Sequence, residues 1–88
     1  MNSPSFVIYD VKSRQLVVTQ TKPSAAIRMC KRPSGTIWSV GNHFARVDAE
    51  FGGIVELPEG NLLLGVVSSP HSGYIQVLEQ SFRNTYFH

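Results

Sequence analysis

The chain has 88 residues, of which 42% are hydrophobic and 16% are charged. This length predicts a single domain, 1–88, and the composition excludes a disordered chain, which needs low hydrophobicity and high charge. Cys30 is the only cysteine, so no internal disulfide can form. No apolar run approaches the roughly 20 residues that span a bilayer, and the first five residues do not resemble a secretory signal. We therefore expect a cytoplasmic protein with no membrane attachment.

The first part of the chain predicts a β-hairpin followed by a short helix. Residues 6–9 and 16–19 are aromatic and β-branched runs typical of strands, and the polar stretch between them has the length of a hairpin loop. Residues 25–31 favour two helical turns. The stripe predicted to be buried in that helix is Ala26, Ile27 and Cys30. Pro33 would then end the helix, because the residue before a proline disfavours helical geometry.

The rest of the chain predicts five more strands joined by turns and loops. The runs are 36–40, 44–49, 54–57, 62–67 and 74–78. Residues 62–67 are apolar at successive positions, which favours a central strand covered on both faces. A loop is expected over 68–73, and the tail 80–88 is either a helix docked on the core or a flexible arm. The predicted fold is α+β, a small antiparallel sheet or open barrel of six to seven short strands with one short helix after the first hairpin.

Charge is distributed unevenly along the chain. Residues 1–46 contain seven lysines and arginines against Asp10 alone, a net charge of +6, whereas 47–88 contain Arg83 against five carboxylates, a net charge of −4. Such a difference in net charge between the two halves indicates a partner that is bound by electrostatic attraction. Three interpretations stay open: one basic surface for phosphates or an acidic protein, two solvated halves that attract each other across the fold, or basic and acidic faces that meet between two copies.

The sequence does not indicate catalytic or metal chemistry. His43, His71 and His88 are far apart, and none has a second ligand at the spacing of a zinc site. Nothing around Cys30 resembles the signature of a catalytic nucleophile, and the Gly52-Gly53 pair does not form a phosphate-binding loop. We therefore expect no metal, no cofactor and no enzymatic activity.

Two residue pairs are similar to those of the small modular DNA-binding repeats attached to homing endonucleases. These repeats have an Ala-Ala pair in a helix and a Thr-Ile pair that opens a second helix, and Ala25-Ala26 and Thr36-Ile37 match that order. The resemblance implies DNA reading by a helix at Thr36. Trp38, Val40 and Gly41 depart from the pattern because they favour a strand.

The leading hypothesis is a non-enzymatic binding protein that docks on a protein or nucleoprotein with an acidic surface through its basic N-terminal half. In size and lack of active-site motifs it resembles small phage-encoded inhibitors such as anti-CRISPR proteins. Direct nucleic-acid binding is the alternative, and a homodimer is a further one. The predicted partner-binding residues are Lys12, Arg14, Lys22, Arg28, Lys31, Arg32 and Trp38. Arg28, Lys31 and Arg32 would share one face of the predicted helix, and Trp38 is either a core residue or an exposed anchor.

Overall fold

The structure, a computed structural model, describes residues 4–68 and 72–87. Its elements in chain order are β1 (Ser5–Asp10), β2 (Gln15–Thr19), β3 (Arg28–Arg32), β4 (Gly35–Val40), β5 (His43–Arg46), β6 (Val55–Glu56), β7 (Leu62–Val67) and α1 (Ser72–Tyr86). The strands form two antiparallel sheets, one with the order β2-β1-β7-β6 and one with the order β3-β4-β5. The predicted α+β class is confirmed, although the helix lies at the opposite end of the chain.

The four-stranded sheet is the middle of three layers. The buried side chains between it and the three-stranded sheet are Phe6, Ile8, Ile27, Val55, Leu57, Leu63 and Val66. Those between it and α1 are Val7, Tyr9, Leu62, Leu64, Val67, Leu78 and Phe82. A central strand of the middle layer is covered on both faces, so it needs apolar residues at successive positions. The prediction that 62–67 forms a central strand is confirmed by β7, which is buried throughout.

The predicted helix over 25–31 is wrong. The Ser24 hydroxyl accepts a hydrogen bond from the Ala26 N–H at 3.1 Å, and the Ser24 carbonyl accepts one from the Ile27 N–H at 3.2 Å, which closes a tight turn. Of the predicted buried stripe only Ile27 is buried, whereas Ala26 and Cys30 are exposed. Two helical turns are marginal in water, and the chain after Ile27 forms a strand ladder with β4 instead.

The predicted strand over 74–78 is also wrong, because these residues belong to α1. Aromatic and β-branched residues favour a strand locally, but β-propensity depends strongly on context. Here Tyr74, Leu78 and Phe82 recur every four residues along one side of a helix, and the last two are fully buried. A Cβ at Gly65 would lie only 3.0 Å from Leu78 Cδ1, so glycine lets the helix approach β7 closely.

The two chain segments predicted after β7 have different outcomes. Residues 80–86 of the tail continue α1, and Phe82 docks on the sheet beside Tyr9, with ring centroids 4.8 Å apart. Position 88 lies outside the described residues, as do 69–71 of the predicted loop. The helix already begins at Ser72, so residues 72 and 73 of the predicted loop are helical.

The end of β5 is attached to the end of β7. Val47 forms a parallel bridge with Val66, and the Asp48 N–H donates to the Val66 carbonyl at 2.8 Å. The Asp48 carboxylate accepts hydrogen bonds from the Ser68 N–H, at 2.9 Å, and from the Ser68 hydroxyl. Asp48 has a φ of 60°, a left-handed conformation that aspartate tolerates better than most residues. These contacts hold the two sheets together at this end of the molecule.

Candidate binding interface on the three-stranded sheet

The register of the three-stranded sheet determines which of its side chains share a face. The rows of directly opposed residues include Arg28–Ser39–Phe44, Cys30–Ile37–Arg46 and Arg32–Gly35. Residues directly opposite each other in antiparallel strands point to the same side of the sheet. The alternate row, which contains Met29, Trp38 and Ala45, points the other way, because Trp38 and Ala45 pack against the core. The first set of rows therefore points to solvent.

We call this solvent-facing side of the three-stranded sheet the outer face. Its residues are Arg28, Cys30, Arg32, Gly35, Ile37, Ser39, Phe44 and Arg46. From standard strand dimensions the Cα atoms of its three arginines form a triangle with sides of roughly 12–13 Å. Strands β3, β4 and β5 contain no aspartate or glutamate, so the charge that these strands give the outer face is entirely positive.

The arginines of the outer face form no ion pair with a carboxylate in the part of the chain that the structure describes. All three are exposed, and among residues 4–68 and 72–87 the one ion pair joins Arg83 to Glu79 on α1, at 3.0 Å. An exposed guanidinium without an internal partner keeps its five donors for another molecule. The outer face therefore has three unneutralised cations in one small area.

The outer face also contains apolar groups. Phe44 is 53% exposed, Ile37 is half-buried, and Cys30 is exposed between Arg28 and Arg32 along β3. The prediction that Cys30 is buried is wrong because it assumed a helix. On a strand at the edge of the sheet the same position faces solvent. Apolar groups next to charged ones are a combination that protein interfaces use, because such interfaces make both apolar and polar contacts.

The structure divides the predicted partner-binding residues among several places. Arg28 and Arg32 lie on the outer face. Lys31, which pairs with Thr36, points to the other side of the sheet, so the prediction that the three residues share one face of a helix is wrong. The remaining basic residues lie in connections: Lys12 and Arg14 are in the β1–β2 turn, and Lys22 is between β2 and β3. All of these basic side chains are exposed.

Trp38 occupies the inner side of the three-stranded sheet. It is partly buried, and its ring meets that of Phe6 edge to face, with centroids 4.8 Å apart and an interplanar angle of 83°. The indole N–H is buried and has no hydrogen-bond partner among the described residues. Trp38 therefore packs as part of the core between the two sheets, and its position is unlike that of an exposed anchor.

Sequence reasoning did not place Ile37, Phe44 or Arg46 among the partner-binding residues. The alternation of apolar and polar residues over 44–49 predicts a strand, and it places Phe44 and Arg46 on one side. What the sequence did not reveal is that β5 pairs with β4 while β4 pairs with β3. That order brings Arg46 next to Ile37 and near the two arginines of β3.

Two cavities adjoin β5. The larger, about 450 Å³, lies beside residues 42–46 and is also lined by residues 49, 50 and 52–55 and by Leu64 and Gly65 of β7. The second, about 400 Å³, is lined by His43, Ile54, Glu56, Leu62 and Tyr86. Both are lined by His43 and Ile54, so they adjoin. We call the two together the β5 groove. Each is within the usual volume range of ligand-binding clefts.

Any proposal about function has to be argued from the residues of this chain. Protein-family models, curated proteins and solved structures give no match to the chain. In the described part of the chain no three His, Cys, Asp or Glu side chains are grouped to hold a metal ion. Over the same residues, no helix has the length and apolar character needed to cross a membrane.

Proposed function

We propose that the protein is a non-enzymatic binding protein that docks on an acidic protein surface through the outer face. Arg28, Arg32 and Arg46 contact the partner's carboxylates, and Phe44 and Ile37 contact its apolar groups. Arginine suits this role because its planar guanidinium binds a carboxylate through two parallel hydrogen bonds. All three arginines belong to the basic N-terminal half of the chain.

The observation that supports this proposal best is the composition of the outer face. The outer face is the solvent-facing side of a sheet whose other side packs against the core through Trp38 and Ala45. It contains three exposed arginines, the exposed ring of Phe44 and no acidic residue of β3–β5. A partner of opposite charge is attracted to such a face from a distance and gains apolar burial on contact. Charge complementarity therefore indicates an acidic partner.

Nucleic acid is the second candidate because arginines beside an exposed aromatic ring also suit a single strand of DNA or RNA. Proteins that bind single strands stack successive bases on several aromatic side chains. The outer face offers only Phe44, since Tyr9 is 3% exposed and Trp38 packs against Phe6. The shortage of stacking residues on this face favours a protein partner.

The test compares two variants with the same change of charge. Arg28→Glu/Arg32→Glu/Arg46→Glu reverses the outer face, whereas Lys12→Glu/Arg14→Glu/Lys22→Glu reverses three exposed cations elsewhere. The probes are a fluorescent peptide in which glutamate alternates with valine, its glutamine-for-glutamate counterpart and a single-stranded oligonucleotide, followed by anisotropy. We expect the outer-face variant to lose at least about tenfold in affinity for the acidic peptide, and the loop variant to bind within a few-fold of the parent.

Each alternative outcome has a defined meaning. Equal losses in both variants would show that only total charge matters, and unchanged binding in the outer-face variant would exclude the outer face. Tighter binding of the oligonucleotide than of the peptide, with a steep loss of affinity between about 50 and 200 mM salt, would replace the protein partner with nucleic acid. Equal binding of the glutamate and glutamine peptides would contradict charge recognition.

A further inference from the structure

Along the edge of β5 that faces away from β4, backbone groups are not paired with another strand of the described ranges, 4–68 and 72–87. The Val47 N–H donates to the Thr36 carbonyl at 3.1 Å, which sets the phase of the ladder between β4 and β5. In an antiparallel pair, hydrogen-bonded and non-hydrogen-bonded residues alternate. His43 and Ala45 therefore direct their backbone groups toward β4, and Phe44 and Arg46 direct theirs away from it.

Two residues after β5, the backbone on this same side already pairs with another strand, at Asp48. Its N–H points away from β4 and donates to the Val66 carbonyl of β7 at 2.8 Å. At Phe44 and Arg46 no such partner is present among the described residues, and β6 pairs with β7 at Leu62 and Leu63. The larger cavity of the β5 groove lies beside this part of the edge.

We propose that the β5 groove receives an extended segment of the acidic partner, which adds as a strand along the edge of β5. This inference rests on the proposed function and specifies its binding mode. The N–H and C=O groups of Phe44 and Arg46 supply main-chain hydrogen bonds, as in other cases of strand addition. Arg46 lies both on the outer face and along the groove, so one bound strand reaches both.

The side chains around the edge specify the chemistry of the segment. Alternate side chains of an added strand point to opposite sides of the sheet. Those on the outer side lie beside Arg46 and Phe44 and are acidic. Those on the other side enter a groove that contains Ile54 and also Glu50, so they are apolar rather than acidic. The expected segment therefore alternates acidic and apolar residues.

The edge of β3 is a less suitable site for strand addition. Every residue of β3 is exposed, and Lys31 projects from it on the inner side of the sheet. Charged residues on an open edge strand oppose pairing with another strand. The edge of β5 instead adjoins a cavity of about 450 Å³. Neighbouring strands of a sheet lie about 4.8 Å apart, and the cavity provides room for an added strand at that distance from β5.

The test uses the glutamate–valine peptide with N-methyl groups on alternate amides, in two forms that methylate opposite edges of the peptide. Strand addition predicts that one form loses at least about tenfold in affinity and that the other binds nearly as well as the parent. On the protein side, Gly52→Trp fills the groove and Gly52→Ala is the control. Gly52 has room for a side chain, since the nearest atom to an added Cβ is the Glu50 carbonyl oxygen at 4.0 Å.

The outcomes separate the two proposals. If reversing the three arginines abolishes peptide binding while both methylated forms and Gly52→Trp bind normally, the outer face binds the partner and strand addition is wrong. If arginine reversal has no effect, the proposed function is wrong whatever the methylated peptides do. Amide hydrogen exchange gives an independent reading: bound peptide should protect the N–H groups of Phe44 and Arg46, and unchanged exchange at both would contradict strand addition.

Discussion

The two sheets of this protein have opposite surroundings. In the four-stranded sheet the central strands β1 and β7 are covered on both faces and almost wholly buried, whereas the edge strand β2 is mostly exposed. The three-stranded sheet is covered on one face only, and its edge strand β3 is exposed at every residue. The first sheet accounts for most of the buried apolar surface, whereas the second presents arginines and Phe44 to solvent.

This difference indicates a division of roles between the two sheets. Burial of apolar area is the main favourable contribution to folding, so the covered sheet and α1 provide most of the stability. Exposed residues that make few contacts within the protein can be substituted without unfolding the chain. The arginines and Phe44 of the outer face are residues of this kind. The predictions below compare the two regions, from the largest expected effect to the smallest.

The same substitution should have very different effects in the two regions. Phe82→Ala removes a fully buried ring between the middle sheet and α1 and should lower the free energy of unfolding by about 3–5 kcal/mol. Phe44→Ala removes a ring that is 53% exposed on the outer face and should cost less than about 1 kcal/mol. Chemical denaturation followed by Trp38 fluorescence measures both. Similar costs would show that the two sheets do not differ in this way.

The junction between the two sheets should have an intermediate effect. Asp48→Ala removes both acceptors for Ser68 and places alanine at a φ of 60°, so it should cost about 1–3 kcal/mol. Asp48→Asn keeps an oxygen acceptor and tolerates the left-handed backbone, and its cost should be smaller. Denaturant titration of both variants is the measurement. An equal loss in the two would show that the carboxylate charge, and not the hydrogen bonds, holds the junction.

The covered region should lose stability at alkaline pH. Burial, followed by the nearby carboxylates of Asp48 and Glu50, raises the pKa of Tyr74 above its usual 10.0. The folded protein therefore keeps the phenolic proton where the unfolded chain loses it. The resulting stability is complete below pH 10.0 and is lost as pH rises through the folded-state value. Tyr74→Phe should show a shallower decline in unfolding free energy above that pH, and an identical decline would contradict the shift.

Reversing the charges of the outer face should have the smallest effect on stability. Arg28, Arg32 and Arg46 are exposed and have no ion pair with a carboxylate in the described ranges, 4–68 and 72–87. Substitution of each by glutamate should therefore change the free energy of unfolding by no more than about 0.5 kcal/mol. Thermal unfolding of the triple variant checks this. A large destabilisation would mean that the face contributes to the fold and would leave its binding test uninterpretable without single variants.

The sequence predicted those parts of the fold in which local pattern and tertiary context agree. The run 62–67 is apolar at successive positions and is buried on both faces, as expected. The pattern failed at 25–31 and 74–78, where local preference and tertiary packing compete. Hairpin pairing with β4 makes Arg28–Arg32 a strand, and packing against β7 makes 74–78 part of a helix.

The candidate site was predictable only in part. The excess of basic residues over 1–46 is visible in the sequence, and it includes all three arginines of the outer face. Their grouping depends on the strand register, which places Arg28 and Arg32 on the side opposite Lys31. A helical reading groups Lys31 with them and gives no role to Arg46. Only the pairing of three strands shows that Arg46 is their neighbour.

The comparison of Arg46→Glu with Lys31→Glu tests the central claim most directly. Both substitutions reverse one exposed cation, and they differ in the side of the three-stranded sheet on which the charge lies. Anisotropy titration with the glutamate–valine peptide should show a clear loss of affinity for Arg46→Glu and nearly parental affinity for Lys31→Glu. A greater loss for Lys31→Glu than for Arg46→Glu would show that the outer face is not the binding surface.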